Sequence, residues 1–254
     1  MMSNELFSAF AALHRPGDPV VLFNAWDPGS AKAVGAAGAR AIATGSWSVA
    51  AAFGFSDGEE LPLELALDNL RRIVAAVDLP VTLDFEGGYA SDPATVAANA
   101  RRVREAGAVG CNFEDRVVGG DGLYPIDEQC ARIGAMREAV GEAFVINART
   151  DLFLASKPNE HGALVDQALE RAQAYAAAGA SGLFVPGLVD EGLICAACAA
   201  SPLPVNVMAM PGTPPARRLA ELGVARISHG AGPYRAAMDA LAQAARTAHN
   251  WRDT

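Results

Sequence analysis

Eight short apolar runs recur along the chain, each bounded by turn residues: Val20 to Trp26, Ala41 to Ser46, Val81 to Glu86, Gly110 to Asp115, Phe144 to Thr150, Gly182 to Gly187, Val205 to Met210 and Arg226 to Gly230. Continuous apolar runs of this length suit parallel strands covered on both faces. Between them lie helical stretches, among them Pro93 to Glu105, Ile126 to Val140, Leu164 to Ala178 and Pro214 to Leu222. The punctuation repeats as well: Gly38, Gly107, Gly179 and Gly223 each follow a helical stretch and precede an apolar run by a few residues. A glycine just past a helix end supplies a left-handed C′ residue, so each marks the αβ turn of a repeated βα unit. Eight such units predict an α/β protein folded as a closed (β/α)₈ TIM barrel. No GxGxxG fingerprint follows the first strand to support an open doubly wound sheet. Asn4 to Leu13 reads as an extra N-terminal helix on one end, and Tyr234 to His249 as a terminal helix with Met238 and Leu241 on an apolar face.

Composition narrows the class. With 254 residues, 51% of them hydrophobic, the chain falls in the range of a single barrel domain, taken as residues 1–254. A net charge of −9 argues against nucleic-acid or anionic-membrane partners and for a small-molecule partner. No cationic segment leading into an apolar one opens the chain, and no apolar run is long enough to span a bilayer, so a soluble, cytoplasmic protein is expected. Cys111, Cys130, Cys195 and Cys198 form no disulfide or zinc pattern and read as small core residues in a reducing compartment.

The chemistry collects where a barrel keeps its site, at the C-terminal ends of the strands. The segment Val81-Thr82-Leu83-Asp84-Phe85-Glu86-Gly87-Gly88-Tyr89 runs a strand into two carboxylates. Alternation along a strand predicts that Asp84 and Glu86 share one face. Glu114 ends strand four, and Asp57 sits on a glycine-flanked turn after strand two. Carboxylates without cysteine or a paired histidine select Mg²⁺ or Mn²⁺ over zinc, and Mg²⁺ retains several waters, so most of these acids are expected to hold it through water. Asp84, Asp57, Glu86 and Glu114 are the candidate metal residues. Arg149, two residues past Asn147 on strand five, suits bidentate capture of a substrate carboxylate; its alternative is a salt bridge to Glu114 or Asp151. Gly45 and Ser46 can aim backbone N–H groups at an anionic oxygen, with hydroxyls from Ser46 and Ser48 beside them. Trp47 and Asn206 complete the candidate substrate-binding set, and Asp57, Arg149 and His229 the candidate catalytic set, His229 as proton donor at the end of strand eight.

Several blocks, taken together, resemble the isocitrate lyase/phosphoenolpyruvate mutase superfamily. They are Asn24-Ala25-Trp26-Asp27, Thr44-Gly45-Ser46, Phe55-Ser56-Asp57-Gly58, Asp84-Phe85-Glu86-Gly87-Gly88-Tyr89, Asn112-Phe113-Glu114-Asp115-Arg116 and Asn147-Ala148-Arg149-Thr150-Asp151, and the likeness runs from about Phe23 to about Met238. The resemblance implies Mg²⁺ at the mouth of a (β/α)₈ barrel, binding a 2-oxo acid or its enolate. It implies Asp84 as direct ligand, Asp57, Glu86 and Glu114 on its waters, groups around Ser46 on the substrate carboxylate and enolate oxygen, and Arg149 on the substrate. It also implies a last helix swapped between paired subunits, giving a homodimer or a homotetramer built as a dimer of dimers. The sequence departs from the family on the loop after strand four. Val117-Val118-Gly119-Gly120-Asp121-Gly122-Leu123-Tyr124 has neither the Lys-Lys-Cys-Gly-His lid of the isocitrate and methylisocitrate lyases nor the Lys-x-Asn pair of phosphonate-handling members. Glu86 stands where relatives often have Asp. The expectation is a Mg²⁺-dependent carbon–carbon lyase, 2-methylisocitrate lyase-like or oxaloacetate decarboxylase-like but without the lid cysteine, acting through an enolate on a small 2-oxo or 2-hydroxy dicarboxylate. The alternatives are a 2-oxo acid binding protein without turnover and phosphonopyruvate hydrolase or mutase chemistry.

Overall fold

The computed structural model describes residues 2–250. Eight strands form one all-parallel sheet: β1 (Val20–Leu22), β2 (Ile42–Ala43), β3 (Val81–Asp84), β4 (Gly110–Glu114), β5 (Val145–Arg149), β6 (Gly182–Phe184), β7 (Val205–Met208) and β8 (Arg226–Ser228). The order β1-β8-β7-β6-β5-β4-β3-β2 places sequence neighbours side by side and returns β1 to β8. The remaining seam, β1 to β2, is joined by a parallel bridge between Ala25 and Thr44 and by the Ala25 amide donating to Ala43 O at 2.8 Å. This is the predicted (β/α)₈ barrel. The strands are shorter than the apolar runs because each run continues past the ladder into the loop that carries chemistry.

Helices α1 (Met2–Ala12), α2 (Pro28–Ala36), α3 (Ser46–Phe53), α4 (Leu63–Val74), α5 (Pro93–Glu105), α6 (Ile126–Val140), α7 (His161–Ala177), α8 (Glu191–Ala200), α9 (Ala216–Glu221) and α10 (Gly232–His249) complete the chain. α5 shows how the sequence writes such a helix. Asp92 caps it by accepting from the Thr95 amide at 2.9 Å, Pro93 opens it, and Arg102 and Arg104 sit in its last turn. Val96, Ala100 and Val103 recur on one face and are buried, and Gly107 closes the helix at φ +101°. Gly38, Gly179 and Gly223 do the same at other αβ turns.

α1 fills the end of the barrel away from the loops just described. Its Phe10 is fully buried in a cluster with Val20, Leu22, Ala41, Ala43, Val109 and Val145, drawn from four strands or strand approaches. Cys111 is buried, as expected, but Cys195 on α8 is exposed, because the apolar side of that helix is set by Ile194 and Ala197. No described helix is long and apolar enough to cross a membrane.

Candidate active site at the barrel mouth

Asp84, Arg149, Phe184, Met208 and Ser228 are the last residues of β3, β5, β6, β7 and β8, and all five border one cavity of ≈ 350 Å³. Of the residues predicted from sequence, Gly45, Ser46, Trp47, Asp57, Asp84, Arg149 and His229 line it, whereas Ser48, Glu86, Glu114 and Asn206 do not.

Asp84 is held from two sides. Its Oδ2 accepts from both the backbone amide and the hydroxyl of Ser46 at 3.0 Å, and its Oδ1 from Asn112 Nδ2 at 3.4 Å. The geometry follows from α3 starting at Ser46 with Gly45 as N-cap, a residue with no side chain to cap the helix. The Asp84 carboxylate serves that helix terminus from the neighbouring strand. The expectation that the Ser46 amide aims at a substrate oxygen is therefore corrected: it is committed to Asp84. Ser48 lies in the first turn of α3, fully buried, and its hydroxyl has no hydrogen-bond partner within the protein.

Glu86 departs from strand alternation. β3 ends at Asp84, and Glu86 has φ +49°, followed by Gly88 at +85° and Tyr89 at +57°. Two non-glycine residues in the left-handed region mark a strained loop, and buried partners hold it there. Arg132 donates to Gly87 O and, at 3.0 Å, to Ala90 O; Asn99 donates to Gly88 O at 3.0 Å, and the Tyr89 amide donates to Glu59 Oε1 at 2.8 Å. Turned this way, Glu86 accepts through Oε2 from the amides of Gly58 at 3.0 Å and Glu59 at 2.9 Å. It anchors the loop that delivers Asp57. A crevice of ≈ 10 Å³ beside it, bordered by Ser46, Asp84, Glu86 and Tyr89, has room for about one water molecule.

Glu114 and Arg149 are register partners on β4 and β5 and form an ion pair at 2.8 Å. Arg149 also donates to both oxygens of Asp151, at 2.5 and 2.9 Å. Burial alone would favour a neutral guanidine, but Glu114 and Asp151 outweigh it and hold Arg149 charged. Of the two predicted readings of Arg149 the salt bridge is the one observed, and the side chain still borders the cavity. Asn206 is buried inside the barrel, its amide donating to Ser228 Oγ at 3.2 Å. The His229 ring borders the cavity and lies 5.1 Å from Phe23, centroid to centroid. Burial lowers its pKa and its Nδ1 has no partner within the protein.

The charges at the mouth do not balance. Burial and then the charge of Asp84 raise the pKa of Asp57; burial, Asp84 and Asp57 push Glu86 up to about 8. Burial raises Glu114 too, against the pull of Arg149. Carboxylates crowded this way are short of a cation, and an all-oxygen donor set fits magnesium. Among the described residues no three acidic, histidine or cysteine side chains converge into a ready-made cage. The acids instead leave space around Asp84, which fits an ion that keeps most of its water.

Four residues escaped the sequence reading of the site. Asn24 Oδ1 accepts from the amides of His229 and Gly230, both at 2.9 Å, while its Nδ2 donates to Thr44 O at 2.7 Å, so one side chain ties β8 to the β1–β2 seam. Arg226 is fully buried inside the barrel and donates to Asn112 Oδ1 at 2.9 Å, which places a guanidinium beneath Asp84. Burial lowers its pKa to about 10. Its spacing from Ser228 on one strand face was the available signal. Asn112 connects Arg226 to Asp84. Arg235, on the first turns of α10, lines the cavity and lies 4.6 Å above the Trp47 ring; nothing in its local sequence announces this.

An eight-stranded parallel barrel whose strand C-terminal ends bring Asp57, Asp84 and Arg149 to one cavity defines a (β/α)₈-barrel enzyme. The profile of the family described as phosphoenolpyruvate phosphomutase matches residues 10–249. The chain belongs to that family, within the isocitrate lyase/phosphoenolpyruvate mutase superfamily of Mg²⁺-dependent enzymes. It is 36% identical to an uncharacterized protein of Mycobacterium tuberculosis over 94% of this chain and 88% of that one. It is 30% identical to an oxaloacetate decarboxylase of a Bradyrhizobium species over 63% of this chain and 56% of the relative. Among solved structures, a putative phosphonomutase from Burkholderia cenocepacia superimposes with TM-score 0.94 at 52% identity, covering 97% of this chain and 99% of that one. A phosphonopyruvate hydrolase in complex with oxalate and Mg²⁺ superimposes with TM-score 0.85 at 25% identity, covering 98% and 88%.

Proposed function

We propose that this protein is a magnesium-dependent carbon–carbon lyase acting on a small 2-oxo or 2-hydroxy dicarboxylate, in the manner of an oxaloacetate decarboxylase. The observation that carries the reading is the cavity in which Asp57 and Asp84 face Arg149 amid carboxylates short of a cation. Asp84 would hold the ion directly and Asp57, Glu86 and Glu114 its waters; once bound, the ion supplies fixed positive charge against a 2-oxo oxygen, the charge demanded when an adjacent carbon–carbon bond breaks. Ser46 and Asn112 orient the Asp84 carboxylate, and Glu86 holds the Asp57 loop. Arg149 commits three N–H groups to carboxylates and has two left to offer a substrate carboxylate. Burial keeps the His229 ring neutral near pH 7, so its part is to pass a proton at Nδ1 or Nε2 and not to carry a permanent charge. Loss of CO₂ needs no acid on the leaving group, which suits a lid hairpin that bears no Lys, Cys or His between Val117 and Tyr124.

The test is pyruvate and CO₂ release from oxaloacetate with Mg²⁺ present. Oxalate binding without product from any 2-oxo or 2-hydroxy acid would favour a binding protein, a reading the bare lid also permits. Phosphate or phosphoenolpyruvate from phosphonopyruvate would favour carbon–phosphorus chemistry, which the likeness to the putative phosphonomutase supports.

We further propose a homodimer, or a dimer of such dimers, in which α10 crosses to a second copy. α10 buries only Pro233 against its own barrel and leaves Leu241 62% exposed. On the outer face of β1, Val21 and Phe23 are 42% and 46% exposed and line an apolar groove of ≈ 490 Å³ against α2. A monomer by light scattering, or a dimer indifferent to Phe23→Asp and Leu241→Asp, would overturn the exchange.

A further inference from the structure

Arg226 is a full charge buried among neutral hydrogen-bond partners. Its Nε donates to Ser228 Oγ at 3.3 Å and its Nη2 to Asn112 Oδ1 at 2.9 Å, while Nη1 has no partner within the protein. Burial lowers its pKa only to about 10, so it stays charged at neutral pH. A buried charge without a bonded carboxylate is costly, and an apolar side chain of similar volume would fill the same space at less cost. What the guanidinium supplies instead is a set of donors with no acceptor among them.

That property dictates which way Asn112 faces. Asn112 lies level with Asp84 on β3 and with Asn147 on β5. Its Oδ1 accepts from Arg226 and from Asn147 Nδ2, both at 2.9 Å, and its Nδ2 then faces Asp84 Oδ1 at 3.4 Å. An Asn112 amide turned end for end would set Nδ2 against the guanidinium and Oδ1 against the carboxylate, a repulsion at each end. Asn147 can turn with it, because an amide both donates and accepts; Arg226 cannot. Resting on the proposed metal site, we infer that Arg226 is a positioning residue: through Asn112 it fixes the Asp84 carboxylate in the pose that holds the divalent cation. The 3.4 Å contact is long, so its weight lies in the orientation it excludes. Metal affinity is where that exclusion is felt, because partners that orient a metal ligand set how well the ligand meets the ion.

Calorimetry with Mg²⁺, and paramagnetic resonance with Mn²⁺, test this without substrate. Three replacements of Arg226 separate donation from volume: Lys only donates, Gln donates and accepts, and Met does neither. Arg226→Gln and Arg226→Met should bind either cation about 10- to 100-fold more weakly than wild type, and Arg226→Lys should recover much of that loss. Met keeps the volume and sheds the buried charge, so a folded variant is in hand even where Gln is not tolerated. Thermal unfolding of each variant runs beside the titrations; a role in packing alone would not rank Lys above both Gln and Met in affinity. In an Asn112→Ala background, Arg226→Met should weaken the cation no further, because the link it acts through is already gone. Wild-type affinity in a folded Gln or Met variant, a Lys variant no better than these, or a full additive loss in the Asn112→Ala background overturns the inference while the metal site stands. Wild type that binds neither cation overturns both.

Discussion

The two ends of the barrel are built from opposite materials. At the strand N-terminal end, α1 drives Phe10 into an apolar plug with Val20, Leu22 and Val109, and His14 meets Phe10 O through Nδ1. At the other end Asp57, Asp84, Glu86 and Glu114 crowd together, and burial raises three of them toward neutrality. One end gains stability from area removed from water; the other gives some up to hold charge in place for a ligand. Substitutions should separate accordingly, with activity responding at the mouth and stability at the plug.

The largest expected effect lies at the mouth. Asp84→Ala should lower metal-dependent turnover on the order of a thousandfold or more, while thermal unfolding moves by only a few degrees. Full activity in that variant would remove Asp84 from the metal site. At the plug the signs reverse: Phe10→Ala should cost about 3–5 kcal/mol in urea unfolding and leave kcat within a small factor of wild type. Equal damage to both would mean the ends are coupled, and the contrast would fail.

His14 sharpens the comparison through pH. Its Nδ1 meets Phe10 O at 2.9 Å and its Nε2 is buried without a partner; burial, then the charge of Arg226, lower its pKa from 6.5 to about 4. The unfolded chain takes up a proton below 6.5 that the folded chain refuses. Its contribution is therefore complete above pH 6.5 and is lost as pH falls toward 4, by up to about 3 kcal/mol. Denaturant titrations at stepped pH should show a slope that His14→Gln flattens. The smallest effect belongs to the seam. Asn24→Ala leaves the His229 and Gly230 amides and Thr44 O short of a partner and should cost about 1–3 kcal/mol, read by thermal or urea unfolding.

Much of the scaffold was legible because its signals are local. α5 and α6 begin and end where the pattern placed them, at Pro93–Glu105 and Ile126–Val140, since caps, prolines and glycines act within a turn of themselves. Seven of the eleven candidate site residues reach the cavity, because strand C-terminal ends are legible wherever strands are. The departures have separate causes. Strand alternation assigned Glu86 to the face of Asp84, but the ladder stops at Asp84 and a left-handed turn re-aims the next carboxylate at Gly58 and Glu59. Ser48 and Asn206 were assigned outward by nearness to a strand end, yet helix phase buries one and barrel packing the other.

The sequence by itself determined the alternation of strand and helix, the barrel, and the stock of acids and of Arg149 at its mouth, because hydrophobic period and turn chemistry are properties of neighbouring residues. Only the tertiary structure decided which groups meet: Arg226 beneath Asp84 from β8, Asn24 across the seam, and Arg235 on Trp47 from far along the chain. Those pairings arise from closing eight strands into a ring, an operation that brings distant residues to hydrogen-bonding range and leaves no mark on the local sequence of either partner.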